Sequence, residues 1–246
     1  MAYTAIDDPT AYFQTKTYTG NGSTQDITFD GNSNLQPDFL WLKGRSLAEG
    51  HTLQNSVSGV TKHLHSQNTD AEVTDTGIVT AFNSNGFSLG DEGDVNGSGS
   101  TFVGWGWKAG TSFTNSAGAN GANLATTAGS VNTDAGFSIL KYNGSGMAGE
   151  GLLAHGLGVV PSVIIIKATS ASDDWYVYHK DIGATKYVRL NQTAGETSAS
   201  WLENKTPTST LISLDNGFWG TSSIDYIAYC FAEKKGYSKF GSYTGN

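Results

Sequence analysis

Hydrophobic and polar residues alternate over short stretches along the whole chain, and turn-forming residues separate the stretches. The clearest alternation lies near the middle, where Val103, Trp105 and Trp107 project to one face of a strand and Gly104 and Gly106 to the other. This period of two predicts β-strands, and no stretch has the sustained period and caps of a helix. The pattern therefore predicts an all-β protein with little or no helix.

The pattern recurs along the chain. Three blocks recur at one offset of 124 residues: 18–43 with 142–167, 59–62 with 183–186, and 102–107 with 226–231. Chance does not easily hold one offset over separated blocks, so the sequence predicts an internal duplication. A fourth similarity, between residues 85–87 and 216–218 (both Asn-Gly-Phe), has an offset of 131. It predicts seven extra residues before this point in the second copy and seven fewer after it.

The duplication and the turn signals predict five parts. They are an N-terminal lead-in at 1–14, a module at 15–108, a linker at 109–136, a second module at 137–232, and a strand at 233–246 that begins a third repeat. The linker is rich in Gly, Ala, Ser, Thr and Asn and has almost nothing to bury. About seven short strands per module must bury one face against a second sheet, so we expect two tandem antiparallel β-sandwiches that resemble jelly rolls.

One strand of each module is expected to lie in the centre of its sheet. Residues 39–43 and 163–167 are apolar on both alternating faces, which is typical of a strand that is buried on both sides. Cys230 alternates with large apolar residues in the last strand of the second module, which predicts a small buried residue.

Charge and hydropathy narrow the range of partners. The chain has 14 basic and 22 acidic residues, for a net charge of −8, and no run of Lys or Arg. Nucleic-acid binding would need clustered cations, so that class of partner is not expected. No apolar stretch is long enough to span a bilayer and the N-terminus has no signal-peptide pattern, so we expect neither membrane insertion nor export.

Two groups of residues carry ligand types that metals prefer. His63 and His65 share one face of a strand, and three copies around a symmetry axis would provide a transition-metal site. Asp91, Asp94 and Asn96 place oxygen ligands in a Gly-rich loop, as a calcium site needs, but without the ordered spacing and closing Glu of a helix–loop–helix site. Surface histidines and a solvated acidic turn are the favoured interpretations, and no metal or other cofactor is predicted.

Aromatic residues near loops suggest carbohydrate binding, because sugar faces stack on exposed rings. Trp201 is the best exposed candidate, since its neighbours are Ser, Ala and Glu, and Trp175 and Tyr178 are further candidates. The alternative is that these rings fill the interior, which is favoured for Trp175 because it lies in an apolar stretch.

The end of the chain repeats an earlier motif. Tyr243-Thr244-Gly245-Asn246 is identical to the motif at 18–21, at the start of the first module. One strand cannot fold alone, so this segment, with Phe240 and Tyr243, is expected to add to a sheet edge of the second module or of a neighbouring subunit.

The repeated motifs resemble those of a family of structural proteins of tailed bacteriophages, particularly of marine hosts, that are described as virion or tail-fibre-like. The motifs of this resemblance lie at 18–23, 37–39, 85–87, 155–158, 228–233 and 236–241. It implies a virion component, such as a capsid decoration, fibre or tail protein, made in the host cytoplasm. The implied partners are copies of itself, other virion proteins and host surface glycans.

Catalysis has little support in the sequence. No nucleophile elbow, phosphate-binding loop or Cys/His cluster is present, and the resemblance brings no catalytic residues. We therefore expect a non-enzymatic structural protein, with a carbohydrate-binding module as the alternative.

Overall fold

The computed structural model describes residues 4–145 and 147–245. These residues are 39% strand and 5% helix, and the ladders between the strands run antiparallel. The prediction of an all-β protein with little helix is confirmed. The chain forms two compact units, an N-terminal unit of residues 7–110 and a C-terminal unit that combines residues 4–6 with 111–245.

The N-terminal unit contains nine strands and one helical turn. They are β1 (Phe13–Thr19), β2 (Gln25–Thr28), β3 (Phe39–Gly44), β4 (His51–Asn55), β5 (Lys62–His63), β6 (Val73–Thr74), β7 (Val79–Asn83), β8 (Gly86–Leu89), α1 (Gly93–Asn96) and β9 (Thr101–Trp107). Of the predicted lead-in, residues 1–3 lie outside the described residues, Pro9–Ala11 forms a 3-10 turn, and β1 already begins at Phe13.

The described part of the C-terminal unit contains ten strands and one helical turn. They are β10 (Thr111–Ser112), β11 (Ala128–Asn132), β12 (Phe137–Asn143), β13 (Gly151–Ala154), β14 (Val163–Ala168), β15 (Tyr176–His179), β16 (Lys186–Arg189), β17 (Thr197–Ser198), β18 (Leu211–Leu214), α2 (Asn216–Trp219) and β19 (Asp225–Phe231).

The two units share a strand order. The main sheet of the N-terminal unit has the order β1-β9-β3-β4, and the main sheet of the C-terminal unit contains β12-β19-β14-β15. The C-terminal sheet is wider, because β10 and β11 precede β12 and β16 and β17 follow β15. In both units the predicted central strand, β3 or β14, lies between two partners, as its apolar residues on both faces indicated.

Each interior draws its residues from two sheets. In the N-terminal unit, Leu40 and Leu42 of β3 pack with Ile27 of β2 and with Phe87 and Leu89 of β8, which belong to a separate sheet of order β2-β8-β7. In the C-terminal unit, β14 packs in the same way against the two-stranded sheet of β13 and β18. Burial of these aliphatic and aromatic side chains is the main favourable contribution to folding.

The predicted linker, residues 109–136, is folded in part. It contains β10 and β11, and β11 pairs along its whole length with β12. Ala122 and Leu124 are 2% and 3% exposed, and Thr126 exchanges backbone hydrogen bonds with Asn115. Backbone hydrogen bonds hold this segment of small residues against its neighbours. The amino-acid composition of the segment does not reveal such pairing.

The two Asn-Gly-Phe motifs led to the prediction of seven extra and seven fewer residues in the second copy, and this prediction is wrong. Asn85 closes the β7–β8 hairpin, where its Oδ1 accepts from the Leu35 amide and Gly86 has φ +122°, whereas Asn216 begins α2 after an Asp215 N-cap. The two Asn-Gly-Phe motifs thus serve different elements. By order along the chain, β8 corresponds to β18 and α1 to α2, at separations close to 124 residues, so no seven-residue insertion is needed.

Candidate functional site

Four polar side chains lie beside the interior of the N-terminal unit, and we call Thr52, Gln54, His63 and His65 the polar cluster. Gln54 and Thr52 pair with Leu40 and Leu42, so they share the face of the sheet that lines the core. Gln54 is 0% exposed and Thr52 is 1% exposed. A strand with two polar residues on its buried face is unusual, because each polar group loses water on burial.

The histidines come from the neighbouring segment. Leu53 and Leu64 exchange two backbone hydrogen bonds of 2.8 and 2.9 Å, which places Gln54 opposite His63 and Thr52 opposite His65. The two imidazole rings lie 4.9 Å apart at 81°. The structure therefore brings the predicted pair of histidines together, but it places His63 inside the unit.

Burial sets the electrostatics of His63. Burial, together with the nearby His65, lowers the pKa of His63 to about 4, and Asp75 and Asp94 oppose the shift. At neutral pH His63 is an uncharged imidazole. Within the described residues, no group of three or more His, Cys, Asp or Glu side chains is arranged to hold a metal ion.

The acidic loop is organised by its asparagine. Asn96 is buried, and its Nδ2 donates to the carbonyls of Ser23 and Gly90 while its Oδ1 accepts from the Asn21 amide and from Gln25. The carboxamide is thereby fully used within the protein, and Asn96 is not available as a calcium ligand. Asp91 and Asp94 remain as carboxylates of the loop, which are too few for the six to eight oxygens that calcium takes.

The rings considered for carbohydrate binding are buried. Trp201 and Trp175 are 0% exposed and Tyr178 is 2% exposed. The expectation that Trp201 is exposed is wrong, because its indole Nε1 donates to the Lys186 carbonyl and its ring lies 5.9 Å from that of Trp219. These rings cannot stack on a sugar in this conformation.

Trp201 belongs to an aromatic cluster of the C-terminal unit, which consists of Tyr176, Tyr187, Trp201, Phe218 and Trp219. Arg189 covers it, with its guanidinium 5.0 Å from the Tyr187 ring centre and its Nε 2.8 Å from Asp174 Oδ2. Burial, with the nearby Asp173, raises the pKa of Tyr176 to about 12. The cluster is a closed packing arrangement of rings and one cation.

A polar cleft opens on the N-terminal unit. It has a volume of about 380 Å³ and is lined by Asn34, Gln36, Asp38, Ser84, Lys108 and Gly110. Asp38 is committed to the fold, since it accepts hydrogen bonds from Ser56 Oγ and from the amides of Ala109 and Gly110. No hydrogen bond joins the side chains of Asn34, Gln36, Ser84 and Lys108 to another described residue.

Sequence reasoning missed this cleft. Its residues come from three separated segments and have no spacing that indicates a ligand. Only the hairpin β7–β8 and the end of β9 bring Ser84 and Lys108 near Asn34. The single sequence signal was Pro37 in front of β3, which recurs as Pro161 in front of β14 and marks the start of a strand.

Cys230 and His155 are buried groups with structural surroundings. Cys230 is 0% exposed, which confirms its prediction as a small buried residue, and burial raises the pKa of its thiol to about 12. His155 is also fully buried, and burial lowers its pKa to about 4. Its Nε2 lies 3.2 Å from the Thr208 carbonyl and its Nδ1 accepts from the Leu157 amide, so neither residue is available for chemistry.

The C-terminal segment is not part of a sheet. Residues 239–245 form no strand, Tyr243 is 92% exposed, and the Phe240 ring lies 6.3 Å from that of Phe231. The expected addition to a sheet edge of the second module is therefore not found. Addition to a neighbouring subunit stays a prediction, and Asn246 lies outside the described residues.

A family model described as "Domain of unknown function (DUF7483)" matches residues 8–246, which is nearly the whole chain. No curated protein and no solved structure matches the chain. Among the described residues, no helix has the length and apolar character needed to cross a membrane.

Proposed function

The chain belongs to this family, DUF7483, and we propose that it is a non-enzymatic structural protein of a bacteriophage particle. It acts as a capsid decoration, fibre or tail component, assembling with copies of itself and with other virion proteins after synthesis in the host cytoplasm. The observation that carries the proposal is the recurrence of one four-strand order in both units. A repeated rigid unit suits a building role, and the motifs that resemble those of phage virion proteins support the location.

We further propose that each unit is a β-sandwich related to jelly rolls and that the two arose by tandem duplication. The support is that the order β1-β9-β3-β4 recurs as β12-β19-β14-β15, and that each interior lies between the main sheet and a smaller one. A short helical turn precedes the last strand in both. Burial of one face by a second sheet is the arrangement that such short strands require.

The C-terminal segment is the proposed assembly strand. In each unit the tyrosine of the repeated motif stacks on an aromatic ring of the last strand: Tyr18 lies 5.3 Å from Phe102, and Tyr142 lies 5.2 Å from Tyr226, both at 17°. Tyr243 has the same motif around it but is exposed. Insertion of this segment at a sheet edge of a neighbouring copy would give Tyr243 a comparable stacking partner.

The self-association of the purified full chain tests the proposal. We expect a symmetric homo-oligomer by light scattering coupled to gel filtration and by electron microscopy, and a smaller species for the Tyr243→Ala variant. A monomer at concentrations of about 100 μM would contradict the proposal, since specific interfaces saturate well below this level. A density map of a phage particle that carries the protein would then place it on the capsid or on the tail.

Carbohydrate binding is a second candidate, and one observation favours it. The buried rings of Trp201, Trp175 and Tyr178 do not support it, but the unpaired polar side chains around the polar cleft do, because hydroxyl-rich ligands are held by such donors and acceptors. A host-surface glycan would be the ligand. We expect binding on a glycan array to weaken in the Gln36→Ala variant, and an array without hits would count against this function.

A further inference from the structure

Three buried polar atoms of the polar cluster have no hydrogen-bond partner among the described residues: Gln54 Nε2, Gln54 Oε1 and His63 Nδ1. We propose that they bind an ordered water molecule in the interior of the N-terminal unit. Buried polar groups in folded proteins are almost always paired, and ordered water is the usual partner where the protein provides none.

The backbone holds the two side chains on opposite sides of such a site. The paired hydrogen bonds between Leu53 and Leu64 place Gln54 directly across from His63. Both side chains project toward the interior, since Gln54 shares its face with Leu40, and they are 0% and 5% exposed. The side chains form no direct hydrogen bond with each other, so the pair is separated by more than hydrogen-bond distance or by unfavourable geometry.

In the C-terminal unit, large aromatic side chains occupy the positions that correspond to Gln54 and His63. The register of β15 and β16, in which Val177 pairs with Val188, places Tyr178 across from Tyr187. These tyrosines occupy the positions of Gln54 and His63, 124 residues further along the chain. Both are buried, and both pack in the apolar core of the C-terminal unit.

The side chains at these positions are smaller in the N-terminal unit than in the C-terminal unit. Gln and His replace two tyrosines, and the last residue of the helical turn is Asn96 in α1 where α2 has Trp219. The equivalent position is thus both smaller in side-chain volume and more polar. A site that is polar and roomy enough for one molecule is the condition under which a water is held inside a protein.

Water fits the hydrogen-bonding capacity of the site. A water molecule can accept from Gln54 Nε2 while it donates to Gln54 Oε1 and to the His63 Nδ1 lone pair, which gives it three partners. A metal ion fits less well, because no group of three or more His, Cys, Asp or Glu side chains in the described residues is arranged to hold one. The site therefore selects a small neutral molecule that both donates and accepts.

A crystal structure of the full chain at high resolution, with anomalous data at the zinc and copper edges, tests the proposal. We expect a peak without anomalous signal within 3.2 Å of both Gln54 and His63. Three results would overturn the proposal: no peak, an anomalous peak that indicates a metal, or a direct hydrogen bond between the two side chains.

A set of variants provides a test that does not depend on crystals. Gln54→Met and His63→Phe each remove one side of the site, and we expect each to lower the melting temperature by several degrees because polar atoms are left without partners. The double variant removes both sides, and we expect it to melt at a higher temperature than the less stable of the two single variants. A double variant whose loss equals the sum of the single losses would contradict a shared site, and circular dichroism would check that each variant folds.

Discussion

The fourth strand of the main sheet presents different side chains to the interior in the two units. In the C-terminal unit, β15 presents Tyr176 and Tyr178 to an interior that also contains Trp201 and Trp219. In the N-terminal unit, β4 presents Thr52 and Gln54, across from His65 and His63. The strand order and the register are the same, although the fourth strand lies beside aromatic side chains in one unit and beside polar side chains in the other. Backbone pairing therefore determines the strand order and the register. The side chains beside the fourth strand differ between the units without changing either.

The two arrangements are stabilised by different forces. The aromatic cluster buries large apolar surfaces and pairs its rings edge to face, as Tyr176 and Trp219 do at 5.1 Å and 83°. The polar residues of the N-terminal unit depend on hydrogen bonds, and Asn96 forms the largest number of them. Hydrogen-bonded interiors lose stability when one partner is removed, whereas apolar interiors lose it in proportion to the volume removed.

The strongest test of this comparison is Trp219→Ala. The ring is 0% exposed and contacts four other aromatic rings, so its removal should destabilise the C-terminal unit by about 3–5 kcal/mol. Hydrogen exchange measured by mass spectrometry should show lost protection in residues 111–245 and unchanged protection in 7–110. Val160→Ala, at a position 48% exposed, is the matched control. Equal losses in both units would mean that they do not have separate interiors.

The matched change in the other unit is Asn96→Ala. Asn96 ends α1 as Trp219 ends α2, and its loss leaves the Ser23 and Gly90 carbonyls and the Asn21 amide without their partner. We expect a cost of about 2–3 kcal/mol, confined to the N-terminal unit and measured by the same exchange experiment. Asp91→Ala in the same loop should change stability by less than about 0.5 kcal/mol. An Asn96→Ala variant with unchanged stability would show that the N-terminal unit does not depend on these hydrogen bonds.

Acid should destabilise both units through their buried histidines. The pKa values of His63 and His155 in the folded protein are about 4, below the usual 6.5, so the unfolded chain binds protons first as the pH falls. Their stability contribution is present above pH 6.5 and is lost between about pH 6.5 and 4, at a cost on the order of 1–3 kcal/mol per histidine.

The variant His155→Gln separates the two contributions. Urea denaturation monitored from pH 7 to pH 4 should show a weaker pH dependence for the C-terminal unit in this variant, while the N-terminal unit should keep the dependence that His63 confers. An unchanged pH dependence of the C-terminal unit would mean that carboxylates, rather than His155, control its response to acid.

The smallest expected effect concerns the cation over the aromatic cluster. Arg189→Lys removes the planar group that lies over Tyr176 and Tyr187 and its contact with Asp174, and we expect a loss of about 0.5–1 kcal/mol from the C-terminal unit. Thermal melting of the variant measures it. Lys205→Met, at an exposed ion pair, is the control, and a loss as small as in this control would mean that the cation contributes nothing to the cluster.

The sequence predicted those features that a single stretch determines. The central strands β3 and β14 were evident because residues 39–43 and 163–167 are apolar on both faces. Cys230 was correctly predicted as buried because its strand alternates clearly. Local hydrophobic patterning suffices where one strand is buried by neighbours on both faces.

Features that depend on distant contacts were missed. β10 is two residues long and β11 contains mainly small residues, so neither differs in composition from a linker. Trp201 lies among polar residues because it is in a turn, and only the partners in β16 and α2 reveal that the ring is buried. The polar cleft is assembled from segments that are far apart in the sequence, which no local pattern indicates.

The single thiol offers a practical measure of motion in the C-terminal unit. Cys230 lies in β19, between β12 and β14, and its raised pKa leaves almost no thiolate at neutral pH. An alkylating reagent can modify it only when the strand separates from its neighbours. The rate at which Cys230 is alkylated in the unaltered protein therefore measures how often the main sheet of the C-terminal unit opens. A partner that binds and stabilises this unit should lower the rate.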